Sequence, residues 1–140
     1  MTVETPEDAQ HLQLLSVFHY VVAGIQALFA CLPLFHFALG AVMFFAPEKL
    51  GHGQGAGPPA LLGLFFMLLA GAAIAFGIAL AVGTFLAGKS LAERKRHLFC
   101  LVMAAINAAT CMPFGTVLGV FTIIVLLRPS VKQAFGVAVG

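Results

Sequence analysis

The chain has 140 residues, of which 61% are hydrophobic and 9% are charged, and its formal net charge is +2. An ordinary soluble domain carries about a quarter charged residues, and a chain of this size cannot bury so much apolar surface inside itself. Because a contiguous apolar surface of that extent would aggregate in water, the composition excludes an ordinary soluble domain and predicts an integral membrane protein.

Three long stretches of the chain, 12–46, 60–88 and 98–127, contain no Asp, Glu, Lys or Arg. Each is longer than the ~20 residues that span a hydrocarbon core of about 30 Å as a helix. The pattern therefore predicts an all-α, polytopic transmembrane bundle. The first stretch follows an acidic segment and is much longer than the core of a signal peptide, so we expect it to be retained.

The first stretch predicts one helix over about 13–46, after a short polar N-terminal segment at 1–11. About 34 helical residues would extend near 51 Å, which exceeds the bilayer unless the helix tilts or kinks. Pro33 supplies a kink. The alternative is a hairpin at Leu32 and Pro33, which would give five spans and move the N-terminus to the other side of the membrane.

The second stretch predicts a helix over 60–87 in which small residues recur at i+4 spacing on two adjacent ridges. Small side chains allow another helix backbone to approach closely in a membrane. We therefore expect this helix to be central to packing, within the chain or across a dimer. The alternative is that an Ala/Gly-rich helix simply has small residues on every side. The two ridges consist of Gly71, Ala75, Ala79 and Gly83, and of Ala73, Gly77 and Ala81.

The third stretch is interrupted by Pro113 and Gly115, which break a helix and favour a turn. It therefore predicts a short hairpin of two helices, about 97–112 and 114–128, each roughly 22 to 24 Å long. Helices of that length require local thinning of the bilayer or form a re-entrant pair.

The distribution of charge predicts the topology. The loop at 89–96 is the strongest basic cluster, and Arg128 and Lys132 follow the last helix, so we expect both regions in the cytoplasm. If both regions lie in the cytoplasm, the chain between them crosses the membrane an even number of times, which supports the hairpin. The loop at 47–59 has no net charge and fits the opposite side. The result is one transmembrane domain over 1–140, with four helices and both termini cytoplasmic.

Few polar side chains lie inside the predicted spans, and such groups usually face other helices and find a partner there. They are candidates for interhelical contacts or for the lining of a polar path. Two of them, His19 and His36, are histidines, which can ligate the iron of a haem. They are 17 residues apart, or about 25 Å along one helix, so they cannot ligate one haem within a subunit. The candidates are His19, Gln26, His36, Asn107, Thr110, Thr116 and Thr122.

No signature of catalysis accompanies these residues. The sequence shows no nucleophile beside a base, no paired carboxylates within a span, no phosphate-binding loop and no zinc-ligand spacing. The three cysteines lie within apolar runs and are expected to be buried thiols. We therefore predict that the protein is not an enzyme, needs no cofactor and does not bind nucleic acid.

The segments 14–20, 112–122 and 128–131 resemble a family of small, uncharacterised bacterial inner-membrane proteins. The most specific part is the PFGTxLG pattern at 113–119. The resemblance implies a bacterial origin and a four-span fold. That family has no assigned activity, so it supplies no catalytic residues. The length of the Gly/Pro-rich loop at 51–59 matches no pattern of the family.

Three functional hypotheses follow from these features. The first is a non-enzymatic membrane protein that acts through helix packing, as a self-associating bundle or as an accessory subunit of a membrane complex. The second is an oligomeric channel or small-solute pathway, lined by the hydroxyl and amide groups of Asn107, Thr110, Thr116 and Thr122. The third is a haem-binding protein whose ligands come from two copies in a symmetric dimer.

Overall fold

The computed structural model describes residues 6–46 and 59–137, and within them every regular element is a helix, which confirms the all-α prediction. The chain divides into two compact units. The first consists of the described parts of Met1–Ile25 and Leu80–Gly140, and the second of those of Gln26–Ala79. In chain order the helices are α1 (Pro6–Ala30), α2 (Pro33–Phe45), α3 (Pro59–Ala92), α4 (His97–Thr110), α5 (Phe114–Leu126) and α6 (Pro129–Ala134).

Helix α1 begins earlier than the sequence analysis predicted. The polar segment at 1–11 was expected to lie outside the helix, but α1 starts at Pro6, so that prediction is wrong from residue 6 onwards. Proline suits the first turn of a helix because the N–H that it lacks would have no partner there. Glu7 and Asp8 follow in the same turn, where negative charge is stabilised by the helix dipole.

The chain continues in helical geometry from α1 into α2. Leu32, between them, has φ −59° and ψ −42°. The N–H of Cys31 donates to the Leu28 carbonyl at 3.1 Å, and the N–H of Leu34 donates to the Cys31 carbonyl at 3.1 Å. These tighter i to i−3 bonds are those of a 3₁₀ turn, and they accommodate Pro33, which has no N–H. The structure therefore has an interrupted helix here and no hairpin.

Helix α3 has 34 residues, and at 1.5 Å per residue it is about 51 Å long. It extends past the predicted end at residue 87 and includes Lys89 in its last turn. Positive φ values of 53° at Arg94 and 54° at Arg96 then turn the chain into α4. The predicted end at residue 87 is too early because a charged residue does not by itself end a helix. Lys, Ser, Leu and Ala are all compatible with a helical backbone.

Helices α4 and α5 form the predicted hairpin, with its turn at residues 111–113. They are antiparallel, because His97 at the start of α4 contacts the carbonyl of Leu126 at the end of α5. Fourteen and thirteen residues give lengths of about 21 and 20 Å, slightly shorter than predicted. The six-residue helix α6 was not predicted. It starts at Pro129, directly after the extended backbone of Arg128.

The second unit contains a close contact between helix backbones. A Cβ added to Gly40 in α2 would lie 2.8 Å from the Gly63 carbonyl oxygen in α3, and a Cβ added to Gly63 would lie 2.8 Å from the Gly40 carbonyl oxygen. Only glycine at both positions allows this approach. The described residues of this unit carry no charged side chain. The loop at 47–58, including Glu48 and Lys49, lies outside the described residues, so its predicted position stays a prediction.

Among the residues that the structure describes, two regions are long and apolar enough to cross a membrane. They are Pro6–Phe45, with a mean hydropathy of 2.1 over its most apolar window, and Ala60–Ala92, with 2.5. Only 11% of the residues in each window are buried within the chain. A core helix of a soluble protein would be mostly buried, so these helices expose their apolar residues to whatever surrounds the chain.

Candidate functional site

The first unit buries five uncharged polar side chains, contributed by four different helices. Each is at most 3% exposed. A polar group in an apolar interior costs free energy unless it is hydrogen-bonded, so these residues are the strongest candidates for a site. They are Ser16 and His19 in α1, Thr84 in α3, Asn107 in α4 and Thr122 in α5.

Ser16 and His19 connect α1 to the C-terminal part of α3. The Ser16 hydroxyl donates to the Gly88 carbonyl at 2.8 Å. A Cβ added to Gly88 would lie 3.0 Å from the Cβ of His19 and 3.2 Å from the Ser16 carbonyl oxygen. The absence of a side chain at residue 88 therefore lets α1 approach α3 closely enough for the hydrogen bond to form.

The His19 ring is fully buried and its two nitrogens differ. Nδ1 lies 2.8 Å from the Leu15 carbonyl oxygen. A carbonyl can only accept, so Nδ1 carries the proton and Nε2 of the neutral ring is an acceptor. Nε2 has no hydrogen-bond partner among the described residues. His19 therefore presents a buried basic nitrogen that can accept one hydrogen bond or donate its lone pair to a cation.

Thr84 and Asn107 connect α3 to α4. The Thr84 hydroxyl shares its proton between the Leu80 carbonyl at 2.8 Å, within its own helix, and Oδ1 of Asn107 at 3.1 Å. Thr84 lies one helical turn before Gly88, so the same face of α3 contacts α1 and α4. Thr122 instead donates to the Leu118 carbonyl at 2.7 Å within α5.

Charged and polar contacts gather at one end of this unit. Nη1 of Arg128 lies 3.2 Å from Oδ1 of Asp8, which joins the start of α1 to the segment after α5. Nε2 of His97 donates to the Leu126 carbonyl at 2.8 Å and so pairs a carbonyl in the last turn of α5. We call this the charged end, and it also contains the residues between α3 and α4, at 93–96.

The predicted polar residues divide between the two units. His19, Asn107 and Thr122 are buried in the first unit. Thr116 is half-buried and donates to the Ala108 carbonyl at 2.9 Å. Thr110 is exposed and donates to the Ile106 carbonyl at 2.7 Å, within α4.

Gln26, half-buried, and His36, exposed, belong to the second unit. Their part in a polar lining or an interhelical contact stays a prediction. Four residues that make contacts in the first unit are not among the predicted candidates, namely Asp8, Ser16, Thr84 and His97. The spacing of Ser16 and His19, and of Thr84 and Gly88, on single helix faces was the available signal.

The small residues of α3 have mixed environments. A Cβ on Gly77 would lie 2.8 Å from the Ala30 Cβ, and one on Gly83 would lie 2.5 Å from the methyl carbon of Met103. Buried or half-buried residues of α3 are spaced at alternating steps of four and three, as in a coiled coil. They are Gly63, Met67, Ala70, Ile74, Gly77, Ala81, Thr84, Gly88 and Leu91. Of the other ridge residues, Ala81 is buried, Gly71 is half-buried, and Ala73, Ala75 and Ala79 are exposed.

The comparisons with known proteins add no assignment to this geometry. No protein-family model, no curated protein and no solved structure matches the chain. The described residues contain no group of three or more His, Cys, Asp or Glu side chains that could hold a metal ion.

Proposed function

We propose that the protein is a small, non-enzymatic integral membrane protein that acts through helix packing, as a self-associating bundle or as an accessory subunit of a membrane complex. The observation that carries this proposal is the exposed apolar surface of the two long apolar regions, Pro6–Phe45 and Ala60–Ala92. Their large apolar side chains are exposed, whereas five uncharged polar side chains of the first unit are buried. This arrangement fits a surrounding of lipid and neighbouring apolar helices.

Exposure supports the membrane placement. Leu28, Phe35 and Phe45 are 64% or more exposed, and clusters of this kind aggregate in water. The backbone of these segments is helical, so its amides are paired within each helix, as a hydrocarbon surrounding requires. We infer that Pro6–Phe45 and Ala60–Ala92 cross the bilayer and that the α4–α5 hairpin enters it.

The charged end supports the orientation. It brings together the start of α1, the end of α3, the start of α4 and the end of α5. The described residues of the first unit have six Lys and Arg side chains against three Asp and Glu, all at this end. Positive residues favour the cytoplasmic side. We therefore place the charged end, and with it both termini, in the cytoplasm. The resemblance of the sequence to small bacterial inner-membrane proteins is the ground on which we propose that membrane as the location.

One face of α3 is suited to receive another helix. Its exposed residues follow steps of four, three, four, three and four, which is the spacing of a helix–helix seam. The centre of the seam is made of alanines, which allow close approach in a membrane. We call this set the α3 seam. It consists of Leu68, Ala72, Ala75, Ala79, Val82 and Leu86.

The channel hypothesis has less support. Of its candidate lining residues, the threonines at 110, 116 and 122 each donate to a backbone carbonyl of the chain. Asn107 is fully buried and contacts Thr84. Thr110 and Thr122 donate within their own helices and Thr116 donates to the neighbouring helix, so these hydroxyl protons are already used and form no row of free donors for a solute.

A pair of matched variants tests the packing proposal. Ala75→Ile with Ala79→Ile adds bulk to the α3 seam, and Ala105→Ile with Ala109→Ile adds the same bulk to exposed positions of α4. We expect native mass spectrometry from a gentle detergent to show an oligomer or a complex that the first pair disrupts and the second preserves. A strictly monomeric, partnerless wild-type chain at every concentration would contradict the proposal.

A further inference from the structure

An apolar groove runs between α1 and α5 on the surface of the first unit. Its volume is about 700 Å³. Leu15 and Leu118 form its buried floor, and Phe18 and Phe121 are half-exposed walls on either side. It extends along α1 from His11 to Ile25, which is about 21 Å at 1.5 Å per residue. We call it the α1–α5 groove.

The two ends of the α1–α5 groove differ in polarity. The end at Pro113 is apolar, whereas the end at His11 adjoins the ion pair between Asp8 and Arg128. Asp8 is one helical turn before His11, and Arg128 is three residues after Val125, the last lining residue of α5. A ligand that lies along the groove would therefore have its long apolar part between the helices and a polar part at the charged end.

Arg128 has capacity for a further contact. Its guanidinium has five N–H donors, and one nitrogen contacts Asp8 at 3.2 Å. The Asp8 side chain is 7% exposed, whereas that of Arg128 is 46% exposed. The carboxylate is thus covered and the cation faces outwards. Lys132 follows one turn later and adds positive charge, so this end is complementary to an anion.

The lining of the groove favours an acyl chain over a helix. A transmembrane helix packs best where the receiving surface offers Gly, Ala or Ser, because the backbones then approach closely. None of the lining residues is one of these. Leu, Val and Phe side chains instead leave a slot with apolar walls, which a flexible hydrocarbon chain can fill.

We propose that the α1–α5 groove binds a phospholipid with an anionic headgroup, whose acyl chain lies between Phe18 and Phe121 and whose phosphate contacts Arg128. The proposal rests on the membrane placement given above, but not on self-association. It assigns the groove to a lipid that stays bound, in contrast to the lipids that only pass over the rest of the apolar surface.

The chain contains no tryptophan, so a single introduced tryptophan reports on its own surroundings. Phe121→Trp places the reporter in the groove, and Phe76→Trp on α3 is the matched control, because both phenylalanines are 59% exposed. Each full-length variant is placed in phosphatidylcholine vesicles that contain either phosphatidylglycerol or phosphatidylcholine with brominated acyl chains. Bromine quenches the fluorescence on contact, so quenching measures which lipid occupies each site.

At Phe121→Trp we expect brominated phosphatidylglycerol to be preferred about fivefold, the effect of one cationic side chain on an anionic lipid. At Phe76→Trp we expect no preference. Adding Arg128→Gln to Phe121→Trp should remove the preference, and Arg128→Lys should retain it, with helical circular dichroism confirming that both variants fold. The comparison between Phe121→Trp and Phe76→Trp holds even if the Arg128→Gln variant does not fold.

Four results would overturn the lipid site. Equal preference at the two reporters would show a general surface effect. Absence of quenching at Phe121→Trp alone would show that a protein segment covers the groove, and a preference that survives in folded Arg128→Gln would remove the headgroup contact. Absence of quenching at both reporters would contradict the membrane placement as well, which distinguishes failure of the proposed function from failure of the lipid site alone.

Discussion

Replacing Gly119 by alanine tests whether α4 and α5 are held in backbone contact. A Cβ at residue 119 would overlap the Ala104 carbonyl oxygen and would lie 2.8 Å from the Cβ and 2.9 Å from the backbone nitrogen of Ala108. Two of these three atoms belong to the α4 backbone, which cannot move aside as a flexible side chain can. Forcing extra atoms into such a contact costs about 1 to 3 kcal/mol.

Gly24→Ala is the matched control. Gly24 is also inside a helix, and a Cβ there meets no atom within 4 Å. Both substitutions gain the same intrinsic helix preference, about 1 kcal/mol, so this contribution cancels between them. The Gly119→Ala variant should therefore be less stable than the Gly24→Ala variant by about 1 to 3 kcal/mol.

The assay is denaturant unfolding of both variants in the same mild detergent, followed by circular dichroism. The wild type should be no more stable than Gly24→Ala. Equal stability of the two alanine variants, within a few tenths of a kcal/mol, would refute the contact between α4 and α5 at residue 119 and the geometry of the hairpin with it.

Three further perturbations address the polar site and the hairpin. A double-mutant cycle of Thr84→Val and Asn107→Leu should give a coupling of about 0.6 kcal/mol in unfolding free energy, since interhelical hydrogen bonds in membranes average that value. His19→Leu should raise the unfolding free energy, by up to about 1 to 3 kcal/mol, because it removes a buried acceptor for which the described residues supply no partner. Met112→Cys, in a chain whose three native cysteines are replaced by alanine, should resist a membrane-impermeant maleimide until detergent is added. The reason is that α4 is about 9 Å shorter than the hydrocarbon core, so that the hairpin turn lies inside the bilayer.

Each of these three has a result that would count against it. Additive effects in the Thr84 and Asn107 cycle would show that the two side chains do not interact. A large loss of stability in His19→Leu would mean that Nε2 has a partner that the described residues do not supply. Labelling of Met112→Cys from the side opposite to that of a Lys95→Cys control would show that the hairpin crosses the whole bilayer.

The turns of the fold could be predicted because single residues determine them. Pro113 removes a backbone donor, and the hairpin turn lies at that position. Pro33 could be identified as a disturbance, but whether it kinked the helix or reversed the chain depended on the tertiary surroundings. Helix α6 and the early start of α1 are not predicted, because charged and polar residues usually indicate loops. A proline at the first helical position is nevertheless compatible with a helix at each of these places.

The polar site could be predicted only in part. The buried positions of His19 and Asn107 agree with the rule that polar groups in apolar helices turn inwards, whereas His36 and Thr110, which also lie in apolar helices, are exposed. The pairings depend on the register between helices, which composition does not determine. Thr84 and Asn107 are 23 residues apart and Asp8 and Arg128 are 120 apart, so neither contact has a local pattern.

The packed face of α3 shows the same limit. The predicted ridges follow i+4 spacing, but packed helices contact each other at alternating steps of three and four, so ridges of constant spacing drift off the contact face. Ala73, Ala75 and Ala79 are therefore exposed in the chain, and Ala81 and Gly88 are buried. A role for the exposed alanines would require a second helix from outside the chain.

Alkaline carbonate washing of membranes that contain the full-length protein tests the central claim most directly. If the two long helices lie in lipid, the protein remains in the washed membrane pellet and enters solution only with detergent. A folded, helical protein in the aqueous supernatant, without detergent, would contradict the membrane placement.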